Sequence, residues 1–119
     1  MEAKELLKTV VSASDDKKAL DIVALDVSQV SGIADYFVIM EAMNSRQLSA
    51  IVEAIDEAVH LAGIEIGGKI EGQPDSGWVL LDLGDVVVSV FDHDTRERFN
   101  LEKLWLDAPL VDLTAWISA

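Results

Sequence analysis

Residues 78–91 have the sequence WVLLDLGDVVVSVF, in which two apolar runs are joined by the pair Gly84-Asp85. Glycine readily takes the positive φ that a tight hairpin turn requires, so this stretch predicts a β-hairpin with a two-residue loop. With Gly84-Asp85 as the loop, the register places Trp78 opposite Phe91. The hairpin therefore forms two adjacent antiparallel strands, and the rest of the chain is expected to pack on them.

Side chains alternate along each strand, which divides the hairpin into two faces of different character. The first, called the aliphatic face, carries Val79, Leu81, Leu83, Val86, Val88 and Val90. The second, called the mixed face, carries Trp78, Leu80, Asp82, Val87, Ser89 and Phe91. The aliphatic face is predicted to lie in the core. The mixed face lies either under a helix or where another protein docks, and the residues alone leave both interpretations open.

The composition and charge of the chain limit the classes of partner that it can bind. A chain of 119 residues that is 50% hydrophobic can build one domain with a real core. Its net charge of −13 opposes binding to phosphate backbones and favours basic protein partners, unless the acidity only aids solubility. The absence of cysteine excludes disulfides and thiolate chemistry. No apolar run approaches the roughly 20 residues that span a bilayer, so we expect a cytoplasmic protein without a membrane partner.

Hydrophobic periodicity predicts the element order αββα(β)ββα, which is typical of a single α/β domain. The sheet is expected to be mixed, with about five strands and with helices packed on it. Because the helices are few, one face of the sheet is expected to remain partly uncovered. Helices are predicted over residues 2–14, 44–63 and 94–105, and strands over residues 19–27 and 35–43, with an edge strand near 64–66 or 69–71.

Helix-capping residues set several of these boundaries. Asn44 is a favourable N-cap, and Gln47 stands three residues later, where it reaches back to complete a capping box. Gly63 stands where a C-cap glycine belongs. Residues 94–97 resemble a second capping box that begins at Asp94. After Pro109, the last residues are predicted to form a further helical turn or two.

One short motif in the sequence weakly resembles a catalytic site. Asp92 and Asp94 flank His93 after a strand, and carboxylates at that spacing can hold Mg²⁺ in phosphoryl or nucleotidyl transfer. Asp94 is already explained as a helix cap, however, and residues 67–69 lack the flanking residues of a phosphate loop and are read as a flexible turn. His60 has no second ligand at zinc spacing. We therefore predict no catalytic residue, no cofactor and no metal site, with a metal-dependent nucleotidyltransferase-like enzyme as the alternative.

Trp78 is the aromatic residue that best fits an interface. It begins a strand on the mixed face, beside Phe91, and tryptophan is among the residues that most often dominate binding energy. Two alternatives remain at this point. Trp78 packs against Trp116 under the C-terminal tail, or the mixed face pairs with a second copy of the chain as a homodimer.

Several short motifs, taken in order and spacing, resemble the ribosomal silencing factor family, also called the Iojap family. The resemblance covers roughly residues 4–108. The residues that carry it are Lys18-Ala19, Asp21-Ile22, Leu25-Asp26-Val27, Ser31, residues 35–39, Ser45-Arg46-Gln47, Glu71-Gly72, residues 78–82 and 84–88, Arg96, residues 99–105 and Asp107-Ala108.

The resemblance implies a nucleotidyltransferase-like fold without the catalytic signature, in a domain of residues 1–108 followed by a C-terminal extension of residues 109–119. It implies a protein that is not an enzyme, binds the large ribosomal subunit through the basic ribosomal protein L-fourteen, blocks subunit joining and represses translation when nutrients are scarce. Organelle relatives take part in large-subunit assembly. Together with the hairpin argument, it predicts partner contacts at Trp78, Leu81, Asp82, Glu71, Phe91, Arg96, Ser45 and Arg46.

Overall fold

A computed structural model describes residues 2–32, 34–64, 70–104 and 107–117. In these ranges, five strands form one sheet in the order β1-β2-β5-β4-β3. The β2–β5 pair is parallel and the other neighbours are antiparallel, which confirms the predicted α/β domain with a mixed sheet. The elements are α1 (Ala3–Asp16), β1 (Leu20–Asp26), β2 (Tyr36–Ala42), α2 (Ser45–Leu61), β3 (Ile70–Gln73), β4 (Trp78–Asp82), β5 (Val86–Asp92), α3 (His93–Phe99) and α4 (Leu101–Leu104).

The hairpin between β4 and β5 has the predicted register. Trp78 pairs with Phe91, and the loop closes with the Leu83 amide donating to the Val86 carbonyl at 2.9 Å. Gly84 has a φ of 87°, which is the conformation that a type II′ turn requires at its first central residue. The sequence therefore predicted both the turn and the pairing that divides the two faces.

The aliphatic face forms the main core, as predicted. Helices α1 and α2 cover it, and the hairpin residues that face them are at most 8% exposed. Burying a leucine or valine side chain contributes about 1.5–3 kcal/mol each, so this layer supplies most of the stabilisation of the fold. The helix residues that complete it are Leu6, Leu7, Val10, Val11, Leu48, Ile51, Ile55 and Val59.

Helix α2 begins with the predicted N-cap. The Gln47 amide donates to the Asn44 side-chain oxygen at 2.8 Å. The Gln47 side chain reaches back one residue further than expected, where its oxygen accepts from the Met43 amide at 2.6 Å. At the other end, Gly63 has a φ of 90° and follows the C-cap, as predicted.

Replacing Asn44 by Ala is expected to lower the free energy of unfolding by about 1 kcal/mol, because an otherwise unpaired helix amide loses its acceptor. Urea unfolding followed by circular dichroism measures the loss. Ser45→Ala, one residue further along, is the matched control and is expected to change stability by less than about 0.5 kcal/mol. Equal losses in the two variants would contradict the capping role of Asn44.

Helix α3 begins two residues earlier than predicted. Its N-cap is Asp92, whose side chain accepts from the Thr95 amide at 2.8 Å, so the prediction that Asp94 caps this helix is wrong. Strand β5 ends at Asp92, which places that carboxylate at the first free helix amides. The helix stops at Asn100, whose φ is 45°, and α4 follows as a separate short helix. Trp105, the predicted end of this helix, lies outside the described residues.

The edge strand is β3, which begins at Ile70. Residues 65–69, which include the predicted turn at 67–69 and part of the predicted strand, lie outside the described residues. Among the helices that the structure describes, none has the length and apolar character needed to cross a membrane.

The C-terminal segment differs from the prediction. Residues 109–111 run beside β1 in an extended conformation: the Asp26 amide donates to the Pro109 carbonyl, and the Val111 amide donates to the Ala24 carbonyl, each at 2.9 Å. This pairing covers the outer edge of β1, so the expected helical turns directly after Pro109 are wrong. Trp116 packs on the main core beneath the aliphatic face, so the alternative that pairs it with Trp78 is also wrong. The division into residues 1–108 and 109–119 stays a prediction.

Candidate functional site

The end of the mixed face that carries Trp78 is built from three aromatic rings. Trp78 stacks on Phe91 with ring centroids 5.0 Å apart and planes at 29°. Phe99, at the end of α3, lies on Trp78 with centroids also 5.0 Å apart and planes at 45°. Phe91 is 1% exposed, Trp78 is half-buried and Phe99 is 47% exposed, so the stack runs from the core to the surface.

The sheet continues this apolar surface away from α3. Leu80 and Val87 lie on the mixed face of the hairpin and are half-buried. In the parallel β2–β5 pair, Phe37 aligns with Val87, which places its ring on the same face. Phe37 is also half-buried. Helices α1 and α2 pack on the opposite face, but Phe37 and Val87 pack against a second buried cluster that includes Phe91 and Ala108, so these side chains are only partly accessible to another molecule.

Two acidic residues border this apolar strip. Glu71 pairs with Leu80 across β3 and β4, and it therefore projects on the mixed face. Asp82 lies on the same face at the far end of β4, and both carboxylates are exposed. We call the surface of Phe37, Leu80, Trp78, Val87 and Phe99, with Glu71 and Asp82 at its border, the Trp78 face.

A cleft of about 420 Å³ lies within the Trp78 face, between the edge strand β3 and helix α3. Glu71 and Gly72 form one wall, Trp78 and Leu80 line its middle, and α3 contributes residues including Phe99 on the other side. The indole N–H of Trp78 is buried and has no hydrogen-bond partner in the part of the chain that the structure describes. An unpaired buried donor costs roughly 1–3 kcal/mol, so the indole N–H does not stabilise this position through any described residue.

Two of the predicted contact residues are inside the protein. Leu81 is 0% exposed on the aliphatic face, and Phe91 is 1% exposed beneath Trp78. The prediction that these side chains touch a partner directly is corrected on that ground, since neither reaches the surface. Phe91 supports the Trp78 ring from below, whereas Leu81 packs in the main core.

The prediction that Arg96 contacts a partner is also corrected. It is 9% exposed, and its guanidinium lies between two carboxylates. Its Nε donates to Glu102 Oε1 at 2.9 Å, and its terminal nitrogen lies 3.7 Å from Glu41 Oε1. A buried arginine engaged with two acids fixes α3 and α4 onto the sheet, and its charge is not presented to a partner.

Ser45 and Arg46 are exposed at the start of α2. Ser45 lines a depression of about 310 Å³ at the end of the sheet where β2 and β5 finish, and this depression shares no lining residue with the cleft beside Trp78. Arg46 makes no ion pair within the described ranges. The structure therefore leaves these two residues accessible but apart from the Trp78 cleft.

In the Asp92-His93-Asp94 motif, the first two residues make contacts that hold the fold together. Asp92 caps α3, and His93 lies between two carboxylates, with Nδ1 3.2 Å from Glu41 Oε2 and Nε2 3.2 Å from Glu97 Oε1. In the described part of the chain, no three His, Asp or Glu residues are placed together to hold a metal ion.

The pKa of His93 is raised from its ordinary value of 6.5, chiefly because its ring hydrogen-bonds to Glu41, with further contributions from the charges of Glu97 and Asp94. Only the imidazolium can donate from both ring nitrogens at once. Because the pKa is higher in the folded state, the stabilising contribution is complete below pH 6.5 and is lost as the pH rises through the folded value.

We expect His93→Asn to lower the free energy of unfolding at pH 5.5 and to have a smaller effect at pH 8.5. Urea unfolding of both proteins at the two pH values measures this. The control is His60→Asn, which removes an exposed histidine that makes no ion pair among the described residues. A difference between wild type and His93→Asn that grows with pH would contradict the raised pKa.

The fold and this surface define the class of protein: a small acidic α/β protein with an apolar, acid-bordered face suited to binding another protein. Comparison with known proteins makes the class specific. The whole chain, residues 1–119, matches the family described as "Ribosomal silencing factor during starvation". The chain belongs to the ribosomal silencing factor family.

Individual relatives agree with this assignment. The chain is 49% identical over 113 residues to the ribosomal silencing factor RsfS of Bacillus subtilis, with 95% of each chain covered. It is 33% identical over 119 residues to the mouse protein named "Mitochondrial assembly of ribosomal large subunit protein 1", covering 52% of that protein. A crystal structure of a Chromobacterium violaceum protein superposes with a TM-score of 0.83 at 34% identity, covering 88% of this chain and 87% of that one. The predicted family resemblance is confirmed.

Proposed function

We propose that this protein binds the large ribosomal subunit through the Trp78 face and that the bound protein prevents the small subunit from joining. The observation that carries the proposal is the partly exposed Trp78 in an apolar strip bordered by Glu71 and Asp82. Membership of the ribosomal silencing factor family supports the ribosome as the partner.

The charge of the chain indicates which part of the ribosome it touches. A protein of net charge −13 is repelled by RNA phosphates and attracted to basic proteins. The partner implied by the family is ribosomal protein L-fourteen, a basic protein at the subunit interface. A standard interface buries about 1,600 Å² in total.

The mechanism needs no chemical step. A folded body of 13.0 kDa bound at the joining surface excludes the small subunit by occupying its place. The protein then lowers translation in the cytoplasm when nutrients are scarce, by keeping large subunits out of the active pool. A site with no catalytic residue is sufficient for this activity, and the protein acts as a regulator rather than as an enzyme.

A second candidate function is assembly of the large subunit. The mouse relative is named for assembly of the mitochondrial large ribosomal subunit. The same Trp78 face would bind L-fourteen on an immature particle, and the bound protein would delay joining until assembly is complete. The two functions share the partner and differ in the particle that is bound.

Binding to isolated particles tests the proposal directly. The chain has no cysteine, so Lys8→Cys, on the exposed side of α1, accepts a single fluorescent label far from the Trp78 face. Anisotropy is then titrated with small subunits, with large subunits, and with large subunits assembled without L-fourteen. Binding is expected only to large subunits that contain L-fourteen. Equal binding to small subunits, or to large subunits without L-fourteen, would refute it.

The same labelled protein tests the competing occupant of the mixed face, a second copy of the chain. Light scattering of the free protein over a range of concentrations measures its mass. A stable dimer that large subunits fail to dissociate would assign the face to self-association instead of to the ribosome.

A further inference from the structure

The two outer edges of the sheet differ in what covers them. The edge of β1 is covered over residues 24–26 by the chain itself, since Leu110 bridges Leu25 and residues 109–111 exchange backbone hydrogen bonds with the strand. Strand β3 is the last strand at the opposite side, and in the described ranges no strand lies along its outer edge. An uncovered edge presents backbone N–H and C=O groups that can pair with another strand.

The open edge lies directly beside the Trp78 cleft. Glu71 and Gly72 belong to β3 and also form one wall of the cleft, with α3 on the other side. A strand added to the outside of β3 would point every second side chain toward the mixed face, where the cleft opens. Backbone pairing at an edge combined with side-chain recognition in an adjacent pocket is a recurring way for domains to bind extended peptides.

Gly72 allows β3 to lie close against β4. Its φ is 96°, and a Cβ atom built at this position would clash with the Trp78 carbonyl oxygen of β4. Any larger residue would push β3 away from β4 or distort its backbone. Three of the four residues of β3 are exposed, so the strand is accessible along most of its length.

The charge at this edge indicates the chemistry of the added strand. Glu71 lies on β3, Asp75 lies in the turn that follows, and Asp82 lies at the end of β4, and all three are exposed. Arg98 is the one basic residue that lines the cleft among the described residues, and it lies on α3. A basic segment therefore fits the β3 side of the cleft better than an acidic one.

We propose that the ribosomal partner supplies an extended basic segment that pairs with the outer edge of β3 as a sixth strand, with alternate side chains directed toward the cleft beside Trp78. This inference rests on the proposed function, and it adds the conformation and the charge of the segment that binds. The chain's own residues 109–111 occupy the corresponding position on β1 and leave β3 as the edge that a partner can use.

Residue-resolved hydrogen exchange by mass spectrometry tests the pairing, using the full chain alone and with an excess of large ribosomal subunits. In an antiparallel edge strand, every second amide points outward and becomes protected when a new strand pairs. On binding, alternate amides of residues 70–73 are expected to exchange at least about tenfold more slowly. Amides of residues 24–26 of β1, where the edge is already covered, are expected to keep their rates and serve as the internal control.

The outcomes separate the inference from the function it rests on. If the chain binds large subunits and the β3 amides keep their free rates, or all slow equally, the added strand is refuted while the proposed function stands. If the chain fails to bind large subunits, both the added strand and the proposed function are refuted. Protection of β3 in the free chain that rises with its own concentration would assign the edge to a second copy and also overturn the inference.

Charge reversal gives an independent measurement. Glu71→Lys is expected to weaken binding to large subunits by about tenfold, because it places a cation beside the basic segment. Glu53→Lys, on the exposed side of α2, changes the net charge equally and is expected to leave affinity nearly unchanged. Equal weakening by both variants would show a general charge effect and would contradict recognition at β3.

Discussion

Trp78→Ala is expected to weaken binding to large ribosomal subunits by roughly 30- to 1000-fold, which corresponds to the 2–4 kcal/mol typical of a central interface tryptophan. The reason is its position: the ring lies at the centre of an apolar strip, supported by Phe91 from below and flanked by Phe99. Co-sedimentation of the purified variant with large subunits at several concentrations measures the change in affinity.

Trp78→Phe is the matched control for this variant. It keeps an aromatic ring on Phe91, but replaces the indole by a smaller phenyl ring and removes the N–H, which has no hydrogen-bond partner among the described residues. We expect Trp78→Phe to fold normally and to retain most of the affinity that Trp78→Ala loses. Circular dichroism and urea unfolding confirm that both variants are folded. Undiminished binding by a folded Trp78→Ala protein would exclude the Trp78 face as the interface.

The adjacent leucines Leu80 and Leu81 separate binding from folding, because they lie on opposite faces of one strand. Leu81→Ala removes a side chain that is 0% exposed in the main core. It is expected to lower the free energy of unfolding by about 2–5 kcal/mol through loss of burial and the cavity left behind. Once the unfolded fraction is subtracted, the affinity for large subunits is expected to stay near the wild-type value.

Leu80→Ala is expected to have the opposite pair of effects, with a small loss of stability and a clear loss of binding. Leu80 is half-buried on the mixed face and lines the cleft, so its loss costs only about 1 kcal/mol of stability. Its removal from the Trp78 face is expected to weaken binding by about tenfold. Urea unfolding and co-sedimentation of the two variants, measured in parallel, check both effects. A Leu81→Ala protein that is stable but does not bind would restore Leu81 as a direct contact.

The sequence predicted the hairpin and the main core because their signals are local. The Gly84-Asp85 turn fixes the register, and strict alternation then assigns every side chain of β4 and β5 to a face. The capping pair Asn44 and Gln47 fixed the start of α2 in the same way. These features depend on residues that are close in the sequence, so pattern and chemistry are sufficient to place them.

The remaining features depend on contacts between distant segments. Phe99 contacts Trp78 because α3 starts at His93, directly after its N-cap Asp92, whereas the sequence predicted the cap at Asp94. Phe37 joins the Trp78 face through the parallel pairing of β2 with β5, which no local pattern specifies. The sequence did contain one usable signal for Phe37. Side chains alternate along β2, and this alternation places Phe37 and Glu41 on the same face of the sheet.

The location of the predicted site stays a prediction, and the structure corrects three of its side chains, Leu81, Phe91 and Arg96, because they are buried. Leu81 was predicted as a partner contact because of the family resemblance, although its position on the aliphatic face already indicated that it is buried. Arg96 was expected to present a charge, but Glu41 and Glu102 lie beside it in the fold and hold it inside. The pairing of residues 109–111 with β1 was missed because Pro109 was interpreted as the first residue of a helical turn, and no local pattern specifies pairing with a distant strand.

Sedimentation of purified small and large subunits through a sucrose gradient, with and without this protein, tests the central claim most directly. With an excess of the protein, we expect the joined-ribosome peak to fall, the free-subunit peaks to rise and the protein to migrate with the large subunit. Under the same conditions, Trp78→Glu is expected to leave the joined peak intact and remain at the top of the gradient. A joined peak that persists with the wild-type protein bound to it would contradict the account.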